Sequence, residues 1–298
     1  QRPPGESTLM RPGTYLSVNI TCWKDLLAYQ TFLPVVRGDA PRWLFRGMEN
    51  YEWSIKTSIE RALEGAGAET KHATVFEKQL LKEFKRRAHH YLDELPGRGD
   101  IMGWLALMQH YGAPTRLVDW TYSFYIAAFF ALARAESAPS GVSHSSPPCA
   151  VWALHRESFK ISDQSAPAAE AFRTVAESLS DYDDIASPDT DNIQAGINAF
   201  LWHVMQDPTR CVWAVNSFRL NDRASVQQGV FLCPGDTRVS FEQNLEIGRP
   251  SPASVVQYVI TTEPAARREM LTGLHQMNIN YASLFPGLGG FAQSLNQG

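Results

Sequence analysis

Apolar residues recur along the chain with spacings of about 3.6 and about 2 residues, and these separate candidate helices from candidate strands. A helix is predicted over residues 21–33, capped by Thr21 and stopped before Pro34. Residues 42–46 (RWLFR) read as a short strand, and residues 53–59 as a second extended piece. Thr74-x-x-Glu77 has the spacing of a capping box. It would open an amphipathic helix with Phe76, Leu80, Leu81, Phe84 and Ala88 on one face. Asp100 is placed to cap a helix through Trp104, Leu105, Leu107 and Met108, which Tyr111-Gly112-Ala113-Pro114 then breaks. The next helix starts near Ser123 and is apolar nearly all round, so it should be buried. Strands are predicted at 149–154, 210–215, 226–233 and 255–261, and helices at 168–180, 191–205 and 264–277, with Pro264 at a first helical position. Segments 136–148 and 181–191 read as loops, and Gly287-Leu288-Gly289-Gly290 as a turn.

Strands and helices alternate irregularly, with no internal repeat and no linker. That predicts an α+β fold, a central mixed or split β-sheet flanked by helices, in one domain over residues 14–298. The Pro-, Gly- and Arg-rich residues 1–13 read as a flexible arm.

The chain is 44% hydrophobic and 19% charged, the balance of a globular protein. Its net charge of −4 disfavours broad capture of nucleic acid. The densest basic cluster is Lys82, Lys85, Arg86 and Arg87, read as a solvated helix face, with docking of a partner as the alternative. No run of 18 apolar residues suggests a membrane span. Cys22, Cys149, Cys211 and Cys233 are far apart, with no CxxC or CxxH pairing. Buried free thiols in a reducing, cytoplasmic compartment are therefore expected, and no metal site; the acid-rich segment 181–191 is the one place to weigh a hard cation.

Familiar catalytic signatures, GxSxG, Walker A, GxGxxG and HExxH, are missing. The densest polar cluster is Gln109, His110, Thr115, Arg116, Asp119 and Thr121, set between two apolar helices. Arg116 and Asp119 are spaced to pair, and Trp120 offers a flat surface for stacking. Two readings stand open, a ligand site or a buried polar network that fixes the junction. Arg46, next to Gly47, could approach a phosphate closely, or form a salt bridge to Glu49 or Asp119. In Gln227-Gln228-Gly229-Val230-Phe231, read as strand, only one glutamine can face a given side; exposure of that side chain to water is the alternative.

Together these pieces resemble the FRG domain family. Phe45-Arg46-Gly47 is its naming motif, and Ser58-Ile59-Glu60-Arg61 looks like its following Arg-ended segment. Residues 109–121 (QHYGAPTRLVDWT) are similar to its most specific stretch, and the Ala/Phe-rich helix after them fits. Gln227-Gln228-Gly229-x-Phe231 resembles its late strand, and residues 283–290 (SLFPGLGG) its C-terminal segment, so the likeness runs over about 40–295. Such domains occur in bacterial and phage-related proteins. The resemblance implies a role in conflict or defence, inside the cytoplasm or delivered into a target cell.

A strand ending in aromatic-Arg-Gly is similar to the first motif of Arg-type ADP-ribosyltransferases. That likeness implies an ADP-ribosyltransferase-like fold with NAD as substrate, a nucleotide or dinucleotide ligand, and a protein acceptor. Arg46 would grip the phosphate or ribose of NAD, Asp119 and Thr121 would orient the nicotinamide ribose, and Gln228 would hold the third-motif position. His110 would be a general base for the acceptor, or else a hydrogen-bonded core histidine. Phe45, Gly47, Arg61, Gln109, Tyr111, Thr115, Arg116, Trp120, Gly229 and Phe231 would complete the binding set. One departure is plain: the late segment carries Gln-Gln-Gly where the enzymes carry Glu. Asp119, Glu242 or Glu263 would then supply the charge, or the domain only senses a nucleotide or a partner.

Overall fold

The strand β4 (Cys149–His155) is buried at every position, as a strand covered on both faces must be. In the computed structural model, which describes residues 15–33, 43–134, 147–155, 169–170, 190–215, 222–248 and 254–295, the sheet extends from it to both sides. The other strands are β1 (Leu16–Ile20), β2 (Trp43–Met48), β3 (Val118–Thr121), β5 (Val212–Val215), β6 (Gly229–Pro234) and β7 (Val255–Ile260). Their order is β1-β7-β4-β2-β3-β6-β5. Only β1 and β7 run parallel; the other neighbours are antiparallel. This is the expected α+β fold with a mixed sheet flanked by helices.

The sheet is nearly divided in the middle. β2 pairs with β4 from Trp43 to Met48, and β3 with β6 along its length. Between β2 and β3 only Phe45 and Thr121 are paired. The halves β1-β7-β4-β2 and β3-β6-β5 therefore meet at one point and splay beyond it.

Strand alternation sorts the core. On one face, Phe45, Val151, Ala153 and Tyr258 pack with α5 (Phe124–Arg134) and with Met270 and Leu274 of α9 (Pro264–Gln276). The aromatic centre of this layer is Tyr29, stacked on Phe124 at 3.8 Å. Beside it, Trp213, Val215 and Cys233 pack with α3 (Ala73–Arg87), α4 (Ile101–His110) and α6 (Thr190–Gln206). On the opposite face, Leu44, Val118, Trp120, Trp152 and Leu232 lie under Phe241 and Leu245 of α8 (Phe241–Leu245). Among the described residues the remaining α-helices are α1 (Trp23–Leu27), α2 (Ser58–Gly65), α7 (Asp222–Val226), α10 (Tyr281–Leu284) and α11 (Leu288–Ser294). None of the described helices is long and apolar enough to cross a membrane.

Several local expectations change. The helix expected from Thr21 is the shorter α1, whose N-cap is Cys22; Thr21 instead donates its backbone N–H and hydroxyl to Asp25. The extended piece at 53–59 is irregular to Thr57 and then helical. Thr57 and Glu60 form the true capping box, opening α2. Thr74 and Glu77 do not, because packing claims both: Thr74 meets the Thr237 hydroxyl at 2.8 Å, and Glu77 takes Arg116. Gln227 and Gln228 are a turn before β6 rather than strand, and Gln228 has φ 48. The 287–290 turn is the start of α11. Asp100 caps α4 through Gly103 N–H at 3.0 Å, and Pro264 begins α9, both as expected. Arg86 and Arg87 pair with Glu83 on their own helix, while Lys85 donates to the Arg98 carbonyl at 2.8 Å. The arm at 1–13, nearly all of the loop at 136–148, the helix at 168–180 apart from residues 169–170, and the acid-rich loop short of residue 190 lie outside the described residues.

Glu77 and Arg116 are both fully buried. Arg116 Nε reaches the two Glu77 oxygens at 3.0 and 2.9 Å, and its backbone N–H a third contact at 3.1 Å. Nη1 donates to the carbonyls of Pro234 and Gly235 at 3.3 Å each. Removing one partner strands a buried charge. Arg116→Ala and Glu77→Ala are each expected to cost about 3–5 kcal/mol, read from urea unfolding midpoints. The double replacement should cost clearly less than the sum.

The four cysteines are free, and Cys149, Cys211 and Cys233 are buried. Burial pushes the Cys149 and Cys233 thiols up to about 12, and that of Cys211 upward as well. Iodoacetamide at neutral pH should therefore label native Cys22 and spare the other three, with all four reacting in urea, as counted by intact mass.

Candidate functional site

A cleft of 620 Å³ opens over the splayed junction of the two half-sheets, between α4 and α5. Its floor comes from β3 and its neighbours. Asp119 and Thr121 lie two apart and share one strand face, while Trp120 lies between them and points the other way, into the core under α8. The expected stacking wall is thus absent at Trp120; it borders the cleft, but the residue is 4% exposed and packs among core residues.

The segment from Gln109 to Thr121 folds back on itself. Gly112, with φ 78, supplies the left-handed turn that ends α4. This brings Gln109 Nε2 to Asp119 Oδ2 at 3.1 Å. Gln109 Oε1 accepts from the Thr115 hydroxyl at 2.5 Å, and Thr115 Oγ1 accepts from Leu117 N–H at 3.1 Å. Thr115 is wholly buried; it orients Gln109, which in turn orients the Asp119 carboxylate. Asp119 itself stays exposed on the cleft floor.

Arg46 crosses the gap between the half-sheets and donates Nη1 to the Asp119 carbonyl. The expected Arg116–Asp119 pair does not form, since Arg116 is spent on Glu77 in the core. Gly47 allows α5 to press on the β2 backbone: a Cβ there would sit 2.1 Å from the Ala127 carbonyl oxygen. The Thr121 hydroxyl donates to the Gln227 carbonyl at 2.8 Å and accepts from Ser123 N–H at 3.0 Å. One lone pair of that oxygen remains, on a residue that is 5% exposed at the cleft.

The cleft gathers Arg46, Asp119, Thr121, His110, Phe45, Gly47, Gln109, Tyr111, Gly229 and Phe231 from the sequence-based set. His110 is exposed at its rim with Tyr111, ring to ring at 4.9 Å, so the core-histidine reading falls. Four expected residues lie elsewhere. Arg61 donates to the Lys56 carbonyl at 2.7 Å on the surface. Thr115 and Arg116 are buried behind the floor. Gln228 is exposed in its turn, and Gln227 lines the cleft instead.

Neither alternative source of a carboxylate reaches the cleft. Glu242 is buried and accepts Ile55 N–H at 3.1 Å. Glu263 caps α9. The acids lining the cleft are Asp119, Glu94 and Asp100, and Asp100 is held by Gly103, Gln194 and Asn198. Among the described residues no three His, Cys, Asp or Glu side chains gather to hold a metal ion. Arg223 and Phe130 also line the cleft. The sequence offered no signal for Arg223, since only the fold brings α7, which packs on β6, to the cleft.

Residues 41–139 match the family model of the FRG domain. The match runs from the approach to β2 through α5 and includes Arg46, Gly47 and the whole of 109–121. No curated protein and no solved structure matches the chain.

Gly47→Ala places a methyl group inside contact distance of α5 backbone. It is expected to destabilise the protein by about 1–3 kcal/mol, measured as a lower urea midpoint, with the cleft-facing end of β2 displaced.

Proposed function

We propose that this FRG-domain protein is an NAD-consuming, ADP-ribosyltransferase-like enzyme that acts as a toxin or defence effector. The observation that carries the reading is the convergence of Arg46, Asp119 and Thr121 on one cleft, at the single point where the two half-sheets meet. Its volume of 620 Å³ is in the range of small-ligand sites, and a guanidinium, a carboxylate and a hydroxyl suit a dinucleotide.

In this reading the dinucleotide lies across the junction with its nicotinamide ribose over Asp119. The bond from ribose C1′ to the nicotinamide nitrogen breaks, and its electron pair leaves with neutral nicotinamide. The sugar becomes oxocarbenium-like, and the Asp119 carboxylate, held by Gln109, stabilises the developing positive charge. An acceptor nucleophile from a protein side chain then bonds to C1′, and its proton passes to the His110 imidazole at the rim. Arg46 positions the ligand, and Thr121 accepts a hydrogen bond from a ribose hydroxyl. Asp119 takes over the charge that the Gln-Gln-Gly turn lacks.

Incubation with NAD should release nicotinamide, followed by chromatography, with label transferred when a protein acceptor is present. Asp119→Asn keeps an acceptor for Gln109 and should fold normally. It is expected to lower kcat about 10²–10³-fold with little change in KM. NAD binding without any release of nicotinamide would instead mark a nucleotide-sensing module, and no binding would remove both readings.

A further inference from the structure

We infer that Arg223 is a second anion grip of the cleft, taking the pyrophosphate of a dinucleotide beside Thr121, and that Phe285 holds it in place. This rests on the nucleotide reading above and names a residue that reading does not use. Arg223 lies in α7 one helical turn before Gln227, whose N–H donates to its carbonyl at 3.0 Å. It lines the same cleft as Arg46 and Thr121.

Its guanidinium sits over the Phe285 ring, with Cζ 4.6 Å from the centroid. A guanidinium is a planar fork whose geometry matches phosphate oxygens. Stacking on an aromatic face also restricts a long side chain, so less freedom is lost when a ligand arrives.

Phe285 is itself fixed. Its ring meets Phe130, another cleft residue, edge to face at 5.9 Å, and Tyr281 at 5.5 Å. The preceding residue closes the circuit: Gln227 Nε2 donates to the Leu284 carbonyl at 2.9 Å, and the Gln227 carbonyl accepts from Thr121 at 2.8 Å. The Ser283-Leu284-Phe285-Pro286 segment, remote in sequence, therefore buttresses the wall that presents Arg223.

Charge gives the reason for a second cation. The lining holds Asp119, Glu94 and Asp100 against Arg46 and Arg223, and Arg46 already donates Nη1 to a backbone carbonyl. A doubly charged pyrophosphate entering beside three carboxylates gains from both guanidiniums.

Titration of the intact chain with ADP-ribose and with adenosine, which lacks phosphate, tests this. Arg223→Ala should weaken ADP-ribose by about tenfold or more, leave adenosine unchanged, and flatten the salt dependence of ADP-ribose binding. Phe285→Leu should weaken ADP-ribose less, and Phe285→Tyr should retain it, at unchanged thermal midpoints. Wild-type affinity in Arg223→Ala, or equal loss of both ligands, overturns the role of Arg223 alone. Failure of the wild-type chain to bind ADP-ribose overturns the nucleotide reading and this inference with it.

Discussion

The ion pair between Glu77 and Arg116 joins three parts of the fold at one wholly buried point. Glu77 belongs to α3, Arg116 to the lead-in of β3, and the carbonyls that Arg116 also meets end β6 and begin the next turn. Charges taken wholly out of water are tolerable only when every donor and acceptor is met. Here the guanidinium and the carboxylate are matched to each other and to the backbone, which leaves one arrangement for the chain around residue 116. That arrangement sets where β3 begins and which of its faces looks at α4.

From there the site follows by short steps. With β3 fixed, Asp119 and Thr121 must share the face covered by the helices, and Trp120 must go under α8. Gln109, at the end of α4, reaches the Asp119 carboxylate through a turn that Gly112 permits. Arg46 spans the splay between β2 and β3 at the Asp119 carbonyl, so the junction of the half-sheets is also the floor of the cleft. A position that the sheet cannot close with backbone pairing is closed by a side chain capable of meeting a ligand. The 13-residue motif is thus partly framework and partly site: Thr115 and Arg116 hold it, and Asp119 and Thr121 are presented by it.

The turn at Gln227 and Gln228 bears on mechanism in the same way. Because it is not strand, the glutamine that lines the cleft is Gln227, tied to Thr121 and Leu284 by hydrogen bonds. Its role in the proposed reaction is to fix the wall, and the charge beside the ribose falls to Asp119. Glu242 and Glu263 are committed to backbone N–H groups elsewhere.

Much of the fold was legible in the residues. Short apolar runs marked β4, β5 and β7, the apolar run from Ser123 marked α5, and Asp100 and Pro264 marked helix starts, because these signals are local and involve one element each; the stretch 109–121 marked several residues that line the cleft. Partner choice was not local. Thr57-x-x-Glu60 and Thr74-x-x-Glu77 carry the same capping signature, yet only the first caps a helix, since the second is drawn to Thr237 and Arg116 across the core. Arg116, Arg61 and Arg223 are alike as sequence, but burial assigns the first to the framework, the open surface takes the second, and the approach of α7 and Phe285 brings the third to the cleft. The sequence by itself determined which segments are helix or strand and where polar chemistry is concentrated. Only the tertiary structure decided which polar groups are consumed by each other and which are left facing the cleft, because that depends on neighbours more than a hundred residues away, whose desolvation selects the pairs.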